Sequence, residues 1–119
     1  MDNNQESIGR VEVAPEVLLT IVRQEVLGIP GVNRMAPIPA EVSYLFRRAS
    51  RQEGVVLEYA DNRLSFDVYV FMDPDVNLRD TSHAIQVAVI EAIDKMVGVP
   101  VDAVNVHVED VIYAQGQIA

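Results

Sequence analysis

The sequence predicts an α+β fold, a two-layer α/β sandwich in which a small mixed sheet carries helices on one face, with elements in the order β-α-(α)-β-β-α-β. Three observations predict it. Several stretches alternate apolar and polar residues with a period of two, which gives a strand one apolar face. Others place apolar residues three and four apart, which gives a helix a single apolar stripe. A sheet with one apolar face is stable only under a layer that presents such stripes. The 119 residues suffice for one such domain with one core.

Residues 1–7 (M-D-N-N-Q-E-S) read as a polar tail, and 8–114 as the single domain. Ile8 to Val13 reads as a short first strand, with Val11 and Val13 alternating with Arg10 and Glu12. Pro15 suits a first helical position and Glu16 the positively polarised first turn. Val17, Leu18, Ile21, Val22 and Val26 follow at helical spacing, and Gly28, Pro30 and Gly31 stop the helix, glycine taking the left-handed cap. Val32 to Pro39 reads as a Pro-rich connector. Ala40 to Gln52 reads as a second helix, with Val42, Leu45, Phe46 and Ala49 on one side and Arg47, Arg48 and Arg51 on another.

Val55–Tyr59 and Leu64–Met72 form an expected hairpin around Ala60-Asp61-Asn62-Arg63, where Asp and Asn favour a turn. In its second strand Leu64, Phe66, Val68, Val70 and Met72 share one face, and Ser65, Asp67, Tyr69 and Phe71 the other. Asp73-Pro74-Asp75 ends the hairpin. A long helix starts at Asn77 or Asp80, with Asp80 or Thr81 as cap, and runs to Val97 before Gly98 and Pro100. Its stripe is Ile85, Ala88, Val89, Ala92, Ile93 and Met96. The last strand spans at least Ala103 to Val108, with Val104, Val106 and Val108 inward, and 115–119 reads as a tail.

Composition narrows the function classes. Residues are 50% hydrophobic and 23% charged, the make-up of a folded protein. The net charge of -9, from 18 acidic against 9 basic residues, repels phosphate backbones and argues against a general nucleic-acid binder, though it does not forbid a local basic patch. The absence of cysteine excludes disulfides, thiolate metal sites and cysteine nucleophiles. The acidic start lacks the regions of a secretory signal, and no apolar run approaches the ~18 residues of a membrane span, so the expected place is the cytoplasm.

The segments I-V-R-Q-E-V-L-G-I-P-G-V (Ile21 to Val32), G-V-V-L-E-Y-A-D-N-R-L-S-F-D-V-Y-V (Gly54 to Val70) and M-V-G-V-P-V-D-A-V-N-V-H-V-E-D-V (Met96 to Val111) resemble, in order and spacing, the alkaline-shock or envelope-stress-response family of bacteria. The resemblance covers about Ile8 to Ala114. It implies a non-enzymatic α/β domain in self-associating cytoplasmic proteins that support the cell envelope, some held under the membrane by a membrane-anchored partner protein. It brings no catalytic residues. Arg34 to Glu53 departs from the family's connector, and Phe71-Met72-Asp73-Pro74-Asp75 stands where many relatives run into a Tyr-Gly turn.

For chemistry, His107 and Glu109 point to one face of the last strand, and Asp67 joins them if that strand neighbours the hairpin. A metal-dependent enzyme at these residues needs three or four ligands, and the expected reading is a solvated polar face. Asp73 with Asp75 and Glu109 with Asp110 are carboxylate pairs of the kind turns use. No phosphate loop, nucleophile elbow or His-Glu-x-x-His motif occurs. The expectation is a protein without catalytic residues, cofactor or metal. Arg47, Arg48 and Arg51 form the single basic cluster, and a nucleic-acid-binding module using it is the alternative function. Tyr69 and Phe71, beside Asp67 on the outer hairpin face, and Val87 and Ile90, off the long helix's main stripe beside His83 and Asp94, are the candidate surfaces for homo-oligomer contacts or partner docking.

Overall fold

Ten residues of alternating character make the central strand, and every other element is placed by what it must cover or pair with. The computed structural model describes residues 8–46 and 49–113. Helix α1 is Pro15–Leu27, strand β1 Val32–Met35, and α2 a single turn at Ala40–Ser43, followed by a 3-10 turn at Tyr44–Phe46. Then come β2 (Ser50–Gln52), β3 (Val55–Ala60), β4 (Arg63–Met72), helix α3 (Leu78–Met96) and β5 (Val101–Val111).

The β3–β4 hairpin forms where Asp and Asn are expected to turn the chain. Ala60 pairs with Arg63, and Asp61 and Asn62 take φ of 54° and 63°, the mirror-image turn whose twist suits a two-residue loop. The Tyr59 hydroxyl donates to Asn62 Oδ1 at 2.7 Å and ties the turn to the strand before it. One side of β4 is shared end to end by two antiparallel partners: β3 runs along Arg63 to Val68, and β1 along Val70 to Met72. Gly54 and Ala36 meet at the junction, where Tyr69 N donates to the Gly54 carbonyl and Ala36 N to the Tyr69 carbonyl, both at 2.8 Å. The other side of β4 carries β5 in parallel along its whole length, so the sheet is mixed. β2 extends it beyond β3.

Both long helices lie on one face. From β4, Leu64, Phe66, Val68, Val70 and Met72 all point into a core with Leu18, Leu19, Val22 and Val26 of α1 and Ile85, Val89 and Ile93 of α3. Full burial of a side chain the size of Phe66 contributes about 1.5–3 kcal/mol, and Phe66 shows no exposed surface. Asn77 caps α3, its Oδ1 accepting from Asp80 N at 2.9 Å, while Asp80 and Lys95 sit at the ends that favour their charges.

Five expectations are corrected. Ile8 to Val13 forms no strand: Ile8 lies in a turn, Gly9 takes a φ of 91°, and the stretch pairs with nothing among the described residues. The first strand is instead Val32–Met35, inside the expected connector, because the second half of β4 would otherwise lack a partner on that side. The expected helix over Ala40–Gln52 stops after a few residues and Ser50–Gln52 joins the sheet, since pairing with Val55–Leu57 satisfies its backbone. Val17, placed with the apolar residues of α1, is exposed and Leu19 is buried instead, while of the two glycines that stop the helix Gly31 (φ 103°) takes the left-handed conformation. Met96, assigned to the α3 stripe, is exposed at the helix end beyond the sheet. The tails expected at 1–7 and 115–119 lie outside the described residues.

Candidate functional site

The face of β4 away from the helices carries its polar alternates, and the parallel partner sets what lies beside them. Register places Asn105 opposite Asp67 and His107 opposite Tyr69. The His107 ring donates from Nε2 to Asp67 Oδ1 at 2.9 Å and stacks on the Tyr69 ring, with centroids 4.3 Å apart and planes 10° from parallel. His107 and Asp67 are therefore brought together. Glu109 does not complete a metal site, and among the described residues no three His, Cys, Asp or Glu side chains converge to hold an ion. Burial, and then the negative charges of Asp67 and Glu109, push the Tyr69 hydroxyl pKa up from 10.0, because the phenolate would be both desolvated and repelled.

The structure overturns the expectation that Tyr69 and Asp67 face an open surface. Tyr69 is only 3% exposed and Asp67 7%. The segment between β1 and β2 folds over this face, and Ile38, Val42, Phe46 and Ala49 pack against Ala36, Val56, Tyr69 and Phe71 in a second, smaller apolar cluster. Phe71 is half-buried, with the Arg34 guanidinium carbon 4.9 Å above its ring. Within the departure from the family connector, Arg34 to Glu53, the residues that cover this face are thus Ile38, Val42, Phe46 and Ala49, while its two ends join the sheet. Pro37 and Pro39 are the available signal, since they break helix and strand alike and mark a segment that must be held by side-chain packing. The basic cluster is likewise not assembled as a helix face: Arg51 stands on β2, its Nη1 donating to the Ser43 carbonyl at 3.1 Å. Arg47 and Arg48 lie outside the described residues.

The other predicted surface is present. Val87 and Ile90 are 39% and 42% exposed on α3, and His83 and Asp94 continue their stripe. The Gln86 side of the helix faces β5, since Gln86 donates from Nε2 to the Val104 carbonyl at 3.0 Å. Val104 thus turns its carbonyl away from β4, and by the two-residue repeat of a strand Val106 and Val108 turn their backbone groups the same way. The remaining contacts agree in phase: Leu64 N donates to the Pro100 carbonyl and Ile112 N to the Met72 carbonyl, with one extra β5 residue at Asp102 and one at Glu109 between them. No described strand pairs with this outer edge. An open edge is not legible in the sequence, because strand order beyond the hairpin is not written in local patterning.

Fold and site together define a small α+β domain whose unpaired features include the outer edges of β5, β2 and β1 and an apolar helix stripe, with no helix among the described residues long and apolar enough to cross a membrane. The model of the alkaline shock protein family, described as having a cell envelope-related function, matches residues 3–113. The chain belongs to the alkaline shock protein family. Among curated proteins it is similar to two uncharacterized proteins of Streptococcus pyogenes. One, Spy1614, is 29% identical over 106 residues (87% of this chain, 88% of the relative), and the other, Spy1535, is 32% identical over 108 residues (90% and 82%). It is also similar to the uncharacterized protein YqhY of Bacillus subtilis, at 25% identity over 109 residues (91% and 81%). No solved structure matches.

Proposed function

We propose that the chain acts in the cell envelope-related role of its family as a non-enzymatic scaffold or interaction module. It self-associates in the cytoplasm and sits near the membrane through a membrane-anchored protein partner. Two observations support this: the outer edge of β5 is unpaired among the described residues, and Val87 and Ile90 are exposed on α3. An open strand edge and exposed apolar side chains are features through which a chain takes up a partner. The polar cluster supports the same reading, because the buried Asp67 and the part-exposed His107 satisfy each other with no third His, Cys, Asp or Glu converging on them among the described residues.

Sedimentation velocity across a concentration series tests it. The wild type is expected to move to larger species as concentration rises. Val87→Asp with Ile90→Asp, both at exposed positions, is expected to keep the circular-dichroism spectrum and shift association to at least tenfold higher concentration. A wild type that stays monomeric throughout would remove the self-association half of the reading.

A further inference from the structure

Four exposed residues of α3 form a seam. His83, Val87, Ile90 and Asp94 recur at intervals of four, three and four, the spacing that keeps side chains on one line of a helix. At ~100° per residue this line stands about 150° round the helix from the buried row of Thr81, Ile85, Val89 and Ile93. The apolar pair lies in the middle of the seam, with an imidazole before it and a carboxylate after it.

Building on the self-association reading, we infer that α3 of one copy packs antiparallel against α3 of a second copy along this seam, Val87 against Ile90 and His83 against Asp94. A two-fold axis makes each pair twice. The order of the residues fixes the direction. Val87 and Ile90 share a midpoint with His83 and Asp94, so turning the second helix end for end about that point brings valine onto isoleucine and imidazole onto carboxylate together. A parallel pair would set Asp94 on Asp94 and His83 on His83, without complementarity. The neighbouring charges balance at each end. Arg79 and Asp80 accompany His83, and Lys95 accompanies Asp94, so two cations and two carboxylates gather round the imidazole in a chain of net charge -9. Glu91, toward the middle, comes level with Gln86 of the second copy rather than with a carboxylate. The seam is about 16 Å long at ~1.5 Å per residue, and it is apolar at the centre and polar at the rim, as protein contacts are. Only side chains of α3 take part, and the backbone edge of β5 stays open to another chain.

The test is sedimentation velocity of the full chain across a concentration series, with wild type, His83→Glu, Asp94→Lys and the two changes together. Both positions are exposed, so circular dichroism is expected to stay the same. His83→Glu sets carboxylate against carboxylate and is expected to raise the association midpoint at least about fivefold. Asp94→Lys is expected to raise it as well, although it lowers the net negative charge of the chain. The double variant restores opposite charges across the seam and is expected to return to within about twofold of wild type, which a parallel pair or a contact elsewhere would not give. If wild type assembles and His83→Glu assembles equally well, or the double variant stays as weak as the single ones, the antiparallel seam is overturned while self-association survives through another surface. If wild type itself stays monomeric at every concentration, the self-association reading fails and this inference with it.

Discussion

Replacing Gly54 by Ala tests the way β1 and β3 share one side of β4. Gly54 sits at φ 83°, and a Cβ added there would stand 2.5 Å from the Ala36 carbonyl oxygen, 3.1 Å from the Tyr69 carbonyl oxygen and 3.3 Å from Met35 Cβ. The closest of these is backbone, so no side chain can swing aside. The left-handed conformation costs Ala about 1–2 kcal/mol. Relieving the contact means moving β1, which loosens two hydrogen bonds, Ala36 N to Tyr69 O and Tyr69 N to Gly54 O, both at 2.8 Å. Each contributes about 1 kcal/mol, which brings the expected loss to roughly 3–4 kcal/mol out of the ~5–15 kcal/mol of a typical domain. In urea, with a slope near ~2 kcal/mol/M, the midpoint should fall by about 1.5–2 M. Gly98→Ala is the control, because Gly98 has φ 77° but nothing within 4 Å of an added Cβ. It should lose only the conformational part, about 0.5–1 M at the same slope. Equal midpoints for the two variants would refute the close approach of the strands as the reason for glycine at position 54.

Two further outcomes follow from the covered polar face. His107→Ala leaves the Asp67 carboxylate without the ring that satisfies it and takes the stacking surface from Tyr69, so thermal unfolding should show a loss of about 1–3 kcal/mol; an unchanged melting temperature would contradict the pairing. Tyr69→Phe should raise the midpoint of alkaline unfolding. The folded-state pKa of Tyr69 is raised above the unfolded value of 10.0, so its contribution is complete below about pH 10 and is lost as pH climbs from there, when the unfolded chain releases the proton first. A pH titration followed by circular dichroism in which both proteins unfold at the same alkaline midpoint would sink that sign.

Where a residue's neighbours are close in the chain, the sequence is informative. The Leu64–Met72 alternation, the Asp61-Asn62 turn, the α1 helix and the extent of α3 all rest on local periodicity and local turn chemistry, and all are found in place, with Leu19 rather than Val17 on the buried side of α1. Strand order is a long-range property, and it accounts for the errors. Val32 to Met35 is too short and mixed to read as a strand, and becomes one because Val70 to Met72 needs a partner. Ser50 to Gln52 continues a plausible helix until β3 offers it an edge. The candidate site divides the same way. Val87 and Ile90 are legible as residues off the main stripe. Tyr69 has the spacing of an outer-face residue and stands on that face, yet its burial depends on Val42, Phe46 and Ala49 arriving from a segment whose path local pattern does not reveal. The His107–Asp67 contact requires the parallel placement of β5 on β4, which α3 permits but does not dictate.

The claim that organises the surface is that the outer edge of β5 is where another chain binds. Amide hydrogen exchange measured residue by residue, in dilute and in concentrated solution, tests it with an internal standard. Asn105 and His107 turn their backbone groups toward β4 and should exchange slowly at both concentrations. The Val106 and Val108 amides should exchange quickly in dilute solution and at least tenfold more slowly in concentrated solution. Fast, concentration-independent exchange at both valines, in a sample that sedimentation shows to be assembled, would contradict the account.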